Sequence, residues 1–266
     1  MNNTSADKTQ RLMLTGSTLS PSKEVIQKVA LLSRELGNRR IVLVLDPKLG
    51  ADTAFNMLSA AQEAYAKEGA SIQRLAKLEE ISALSKEEAP PIVILGGGDH
   101  VSLIPALQNN SDVSQGLRRV AQKSLLIAAC AGAVAVSQGN RAMLVSNNKL
   151  DAHKLEGLGL TNLDVLPKHL SGAEGKEERI DKITQSHFNA NPASEHLGIL
   201  GQGGIYIQGI GQNETYELYG DAQTYNNPEK QREITSGQLM ANPALSRRLW
   251  PSSIKQVAAA AALAHA

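Results

Sequence analysis

Apolar positions along the chain fall into short runs that alternate with stretches of helical spacing. Arg11–Thr15, Arg40–Leu45, Ser71–Leu75, Pro91–Leu95 and Leu125–Ala129 read as strands. Most are near-continuous apolar runs, as strands buried on both faces of a parallel sheet require. Between the first two, Ser20-Pro21-Ser22 reads as a helix cap. Val25, Val29, Leu31, Leu32 and Leu36 then recur at helical spacing up to a stop at Gly37-Asn38. Thr53–Glu68 repeats the pattern, with Phe55, Leu58, Ala61 and Tyr65 inward and Gly69 closing the helix. Ser85–Ala89 is a charged turn, and Val101, Leu103, Ile104 and Leu107 mark an amphipathic segment after Gly96-Gly97-Gly98-Asp99-His100. This β-α-β-α-β alternation predicts an α/β fold: a mostly parallel, doubly wound sheet with helices on both faces.

Beyond Val136 the signal is weaker. Ser137–Asn148 is polar and loop-rich, with a strand at Ala142–Val145, and Leu155–Leu166 carries apolar residues around Gly157 and Gly159. Glu174–Ile183 reads as a charged helix running toward His187. Leu197–Leu200, Gly204–Gln208 and Thr215–Tyr219 predict a small antiparallel C-terminal meander, and Ile254–Ala266 an Ala-rich helix. No internal repeat or linker stands out, so 11–250 is expected to form a single domain, between a disordered leader at 1–10 and a tail at 251–266.

Composition narrows the classes. The chain has 266 residues and 42% hydrophobic content, enough for one sizeable core, which with only 3% aromatics must be aliphatic. Its net charge of +1 and mixed charges offer no basic block for nucleic acid. A single cysteine excludes an internal disulfide framework and a Cys-based zinc site. The polar start lacks the apolar centre of a secretory signal, and no apolar run reaches the roughly 18–20 residues of a membrane span. A soluble, cytoplasmic protein is expected, with no membrane partner.

Two places carry chemistry, and both fall at the carboxyl ends of predicted strands, where such folds bind ligands. Cys130 stands between the run Leu125–Ala129 and an Ala/Val-rich helix, flanked by nothing larger than Ala or Gly. A strand turning sharply into a helix at a nucleophile is the elbow geometry behind G-x-S-x-G, and its crowded turn demands small neighbours. Free N–H groups at the helix start favour thiolate. The other reading is a buried, inert Cys. Gly96-Gly97-Gly98-Asp99 lacks the Lys-Ser/Thr of a P-loop and the full G-x-G-x-x-G spacing. It remains readable as a phosphate loop, as an oxyanion hole, or as a tight turn needing positive φ. A thiol nucleophile needs a histidine base, and six are available: His100, His153, His169, His187, His196 and His265. No histidine pair at i, i+4 with a carboxylate between them suggests a metal.

Together these segments resemble peptidase family S51, which contains dipeptidase E (aspartyl dipeptidase) and cyanophycinase. The resemblance spans roughly residues 11–220 and rests on three motifs in order. The family's Gly-Gly-x-(Asn/Asp) turn is similar to Gly96-Gly97-Gly98-Asp99. Its Gly-x-Ser-Ala-Gly-Ala elbow is similar to Ala128-Ala129-Cys130-Ala131-Gly132-Ala133. Its Gly-Leu-Gly-Leu…His…Glu-Arg segment is similar to Gly157-Leu158-Gly159-Leu160, His169 and Glu177-Glu178-Arg179-Ile180. The resemblance implies a class I glutamine-amidotransferase-like fold. It implies Cys130 as nucleophile, His169 as base, and an oxyanion hole from the backbone of Gly97, Gly98 and Asp99 with Ala131 N–H.

Two departures from the family pattern stand out. The nucleophile is Cys in place of Ser. The triad acid is expected near Ser146-Asn147-Asn148, where no carboxylate stands. Asn147 or Asn148 can still orient an imidazole, and Asp151 and Glu156 are alternatives. The resulting expectation is a cofactor-free homodimeric hydrolase of small peptide or isopeptide bonds, with an aspartyl or β-aspartyl preference implied by the resemblance. The alternative is a non-catalytic or redox-sensing protein on the same scaffold with Cys130 as the switch. An amidotransferase glutaminase would need a His-x-Glu pair, which none of the six histidines supplies.

Overall fold

The computed structural model describes residues 10–38, 40–138, 142–146, 149–153, 157–166, 183–189, 194–209 and 214–227, with His100, Val101 and 142–153 described through the backbone alone. Five strands, β1 (Arg11–Thr15), β2 (Ile41–Val44), β3 (Ile72–Ala76), β4 (Ile92–Leu95) and β5 (Leu126–Ala129), run parallel in the order β1-β5-β4-β2-β3. The connecting helices are α1 (Lys23–Glu35), α2 (Ala51–Lys67), α3 (Glu80–Leu84), α4 (His100–Gln108), α5 (Ser111–Lys123) and α6 (Ala131–Val136).

The two-residue period of the strands divides their side chains between two cores. Leu12, Leu14, Val42, Val44, Val93, Leu95, Leu126 and Ala128 face α3 to α6. Met13, Ile41, Leu43, Ile92, Ile94 and Ile127 face α1 and α2. β2, β4 and β5 are buried along their whole length, as near-continuous apolar runs require. Burying each such aliphatic side chain stabilises the fold by about 1.5–3 kcal/mol.

Some expectations shift in detail. In α1, Ser22 Oγ accepts the Val25 N–H as predicted, but Leu31 is exposed. In α2, Phe55 is 68% exposed rather than inward, because the buried stripe runs through Ala54, Ala61 and Tyr65, one position off. Two helices, α3 and α5, stand where the apolar pattern gave no clear element. Gly116 inside α5 looks like a breaker, yet a Cβ there would stand 3.0 Å from Ile81 Cγ2, so it is where α5 meets α3.

The C-terminal meander is corrected by the topology. β10 (Gly204–Gln208) and β11 (Thr215–Tyr219) form an antiparallel hairpin that extends the main sheet through β1, which completes the order β11-β10-β1-β5-β4-β2-β3. β9 (His196–Ile199) instead lies between β8 (Leu163–Leu166), to which it is parallel, and β12 (Gln223–Asn226). The glycine turn between β9 and β10 makes the switch, with Gly201 at φ 56° and Asp221 Oδ1 accepting the N–H groups of Gln202 and Gly203. β6 (Ala142–Ser146) and β7 (Lys149–His153) form a separate hairpin. Residues 183–189 are helical. The leader to residue 9, the remainder of the predicted helix at 174–182, and the Ala-rich tail lie outside the described residues.

The Gly-Leu-Gly-Leu segment has a structural role. α6 is only six residues long, and its last carbonyls need partners. Leu158 N–H donates to Ala135 O at 2.8 Å, Gly159 N–H to Ser137 O at 3.0 Å, and Leu160 N–H to Val136 O at 2.8 Å. A Cβ on Gly157 would stand 2.1 Å from Ser137 O. Gly157→Ala is therefore expected to lower the unfolding free energy by about 1–3 kcal/mol in urea titration. An unchanged midpoint would show that this strap does not bear on α6.

Candidate active site

The site forms where four parallel strands end side by side. β5 stops at Cys130, which has φ 53° and ψ −117° and is the one non-glycine residue with positive φ among the described residues. Such a conformation costs a β-carbon-bearing residue about 1–3 kcal/mol and marks a functional turn more often than a casual one. It is held by the Cys130 N–H donating to Thr15 O at 2.9 Å, which joins the ends of β5 and β1. α6 then begins at once, with Ala133 and Val134 N–H bonding to Cys130 O. Gly132 permits this close return, since a Cβ there would stand 2.2 Å from Leu95 O at the end of β4.

Cys130 is half-buried and not enclosed in the core. Burial pushes the thiol above its ordinary value, and the Ala131 N–H opposes that shift without cancelling it. That direction runs against the expectation of a thiolate favoured by the helix start: desolvation of the sulfur outweighs the Ala131 N–H bond.

Opposite Cys130 lies the turn after β4. The place where a Gly97 Cβ would stand is 3.3 Å from Cys130 Cβ and 3.6 Å from Cys130 Sγ, so a side chain there would press on Cys130 Cβ and fill the space beside the sulfur. Gly97 N–H donates to Thr18 Oγ1 at 2.9 Å. Gly98, at φ 153°, has no room for a Cβ, which would stand 2.3 Å from Asp46 Cβ. Asp99 N–H donates to Asp46 Oδ2 at 3.0 Å, and Asp99 O accepts the first N–H bonds of α4. Of these three N–H groups, Gly98's alone donates to no group of the chain among the described residues. Of the predicted oxyanion residues, Gly97, Gly98 and Asp99 form the turn after β4 that faces Cys130, and Ala131 follows Cys130 at the start of α6.

Asp46 makes the turn rigid and excludes the phosphate-loop reading. It is 4% exposed and accepts Lys48 N–H at 3.0 Å, Asp99 N–H at 3.0 Å and Ser102 Oγ–H at 2.7 Å. Burial would raise its pKa, but these hydrogen bonds and the Lys48 charge outweigh that and hold the carboxyl below its ordinary range. A turn already closed on a carboxylate repels a phosphate. Sequence reasoning passed over both Asp46 and Thr18. Asp46 directly follows the carboxyl end of one predicted strand and Thr18 lies three residues past another, which is the signal that would have found them.

The remaining predicted residues divide. His169, Asn147, Asn148 and Glu156 lie outside the described residues, and Asp151 is described through its backbone in β7 alone. His187 is buried on the helix 183–189, with Nε2 3.3 Å from Asp164 Oδ2 and 3.3 Å from Ser194 Oγ. His196 Nδ1 is 2.9 Å from Asn226 Oδ1.

The comparisons with known proteins fit this geometry. Residues 12–213 match the model of peptidase family S51. The chain belongs to that family. It is accordingly a peptidase, a hydrolase of amide bonds, with a peptide substrate. A putative peptidase E protein from Listeria monocytogenes EGD-e shares the fold with a TM-score of 0.51 and 18% identity, over 80% of this chain and all (100%) of that one. A peptidase from an acI-B1 Actinobacterium does so with a TM-score of 0.53 and 16% identity, over 80% of this chain and 96% of that one. Comparison with curated proteins gave no match. No helix among the described residues is long and apolar enough to cross a membrane.

Asp46 gives a stability prediction with a definite sign. Its folded pKa is lowered, so its contribution is present in full above the unfolded value of about 3.9 and is lost as pH falls through the folded value. Asp46→Asn is expected to cost about 1–3 kcal/mol at pH 7, and the difference from wild type should shrink in urea titrations as pH falls below the unfolded value of about 3.9. An equal difference above and below that value would remove the ionised carboxylate as its cause.

Proposed function

We propose that this peptidase uses Cys130 as its nucleophile on small peptide or isopeptide substrates, with His169 as general base and Asn147 or Asn148 orienting the imidazole. The observation that carries the reading is the φ of 53° at Cys130, at the end of β5 and facing the glycine turn. A strained conformation kept at a half-buried thiol, where the chain could have used glycine, is best explained by aiming the sulfur.

The steps follow from the chemistry of the pair. His169 takes the thiol proton as Sγ attacks the substrate carbonyl carbon, and the carbonyl oxygen gains the negative charge. Gly98 and Ala131 N–H groups stabilise that oxyanion. Collapse breaks the C–N bond, the amine leaves with the proton returned by His169, and a thioester remains on Cys130. Water, deprotonated by the same imidazole, then releases the acid and regenerates the thiol. Because burial raises the thiol pKa, the base is needed for attack at neutral pH. That shift also weighs against the redox-switch reading, since sensor thiols are low-pKa groups. An aspartyl or β-aspartyl preference is carried by the family resemblance; a homodimer, a cytoplasmic setting and a single domain over 11–250 complete the proposal.

A panel of aspartyl dipeptides and β-aspartyl isopeptides tests the reading. Cys130→Ala is expected to lower kcat/KM by about a thousandfold or more, and a variant retaining full hydrolysis would overturn the mechanism. With one cysteine in the chain, iodoacetamide alkylation reports Cys130 alone. Its pH midpoint should rise in His169→Ala, because an imidazolium partner stabilises thiolate.

A further inference from the structure

Thr18 sits just past β1 and has no place in the mechanism above. Its side chain is 4% exposed, and its Oγ1 accepts the Gly97 N–H at 2.9 Å. A threonine hydroxyl carries one donor and two acceptor sites, so this bond leaves its proton unused. Among the described residues that proton has no acceptor. A buried donor without a partner ordinarily costs about 1–3 kcal/mol, and sites of that kind call for an absent ligand or water. The methyl group is not idle, since its carbon lies 3.1 Å from where a Gly96 Cβ would stand. It lies beside the glycine turn, in the space that a side chain at 96 would need.

The position of this donor is informative. The place of a Gly97 Cβ is 3.5 Å from Thr18 Oγ1 and 3.6 Å from Cys130 Sγ, so hydroxyl and sulfur border the same small space. Glycine at 97 keeps that space open. A carbonyl group attacked by Cys130 must bring its oxygen close to the sulfur, into the reach of neighbouring donors.

We propose that the Thr18 hydroxyl is a third donor to the carbonyl oxygen of the acyl group under attack, beside the Gly98 and Ala131 N–H groups. Resting on the Cys130 reading, it adds a side-chain donor to that site. The bond from Gly97 N–H orients the hydroxyl for this task. Because the Gly97 N–H fills one of its two acceptor sites, the hydroxyl is held in place with its proton left for the substrate. Thr18 is thus a catalytic residue that acts only when a carbonyl acquires charge.

Two reagents that modify the same sulfur separate this role from a structural one. p-Nitrophenyl acetate acylates Cys130 through a tetrahedral oxyanion and releases p-nitrophenolate, whereas iodoacetamide alkylates it by displacing iodide, with no oxyanion. Thr18→Val, nearly isosteric but without the hydroxyl, should slow the p-nitrophenolate burst about a hundredfold and leave alkylation within about twofold. Thr18→Ser should restore most of the acylation rate. A Thr18→Val protein that acylates like wild type overturns the assignment while leaving Cys130 as nucleophile. Equal losses in acylation and alkylation, or no rescue by Thr18→Ser, also overturn it, by reducing Thr18 to a packing residue. Wild-type protein that is alkylated but never acylated overturns the nucleophile reading itself, and this one with it.

Discussion

The Cys130 N–H bond to Thr15 O holds the rest of the site in place. It ends β5 against β1 and fixes a side-chain-bearing residue at φ 53°. The strain of that conformation, about 1–3 kcal/mol, has to be offset by rigid surroundings. β5 supplies four residues with no exposed surface, and every residue of α6 is buried. A six-residue helix is not stable alone. α6 persists because Gly132 sets it on the end of β4, while the Gly157–Leu160 strap takes up its terminal carbonyls. Gln10 Nε2 and Arg118 Nη2 in turn bond to the carbonyls of Leu160 and Leu158. The elbow is therefore a product of the sheet and a distant segment together.

Carboxylates fasten the loops where backbone pairing ends. Asp46 does so for the glycine turn. Glu214, before β11, does so beyond the strap: it accepts Thr161 Oγ1–H at 2.7 Å, Asn162 N–H at 3.2 Å and Tyr216 O–H at 2.8 Å. Burial, and then the neighbouring Glu214 charge, drive the Tyr216 phenol far above its ordinary pKa. That keeps it a donor at any working pH. In both cases an anion that is already hydrogen-bonded organises main chain that has no strand to pair with.

The five parallel strands, α1, α2 and the elbow were legible because each is a local pattern: an apolar run, a helical repeat, or small residues around a cysteine. What was not legible depends on contacts between distant segments. Phe55 was misplaced because its spacing suits either of two neighbouring stripes, and only the position of β3 chooses between them. β10 carries the same alternation in any sheet, so its pairing with β1 rather than β9 is decided by the turn at Gly201–Gly203. Gly157-Leu-Gly-Leu160 stood out as a motif, yet its role as a strap on α6 required the fold. Thr18 and Asp46 are ordinary residues in sequence. They acquire their roles by lying past the ends of β1 and β2, which crossovers bring beside β5 and β4 respectively.

A cysteine at the elbow, read in the place of the family's serine, fits the proposed mechanism. A hydroxyl nucleophile depends on a strong base, and hence on a carboxylate behind the histidine. A thiol loses its proton far more readily and is intrinsically more nucleophilic. In the proposed mechanism the absence of a carboxylate at 146–148 is therefore less damaging than it would be for serine. An amide that only orients the imidazole is enough. The burial that raises the Cys130 pKa makes the base more necessary, because a desolvated thiol gives up its proton less readily than an exposed one. In the proposed mechanism, reactivity then depends on the elbow, the turn facing it and the base together.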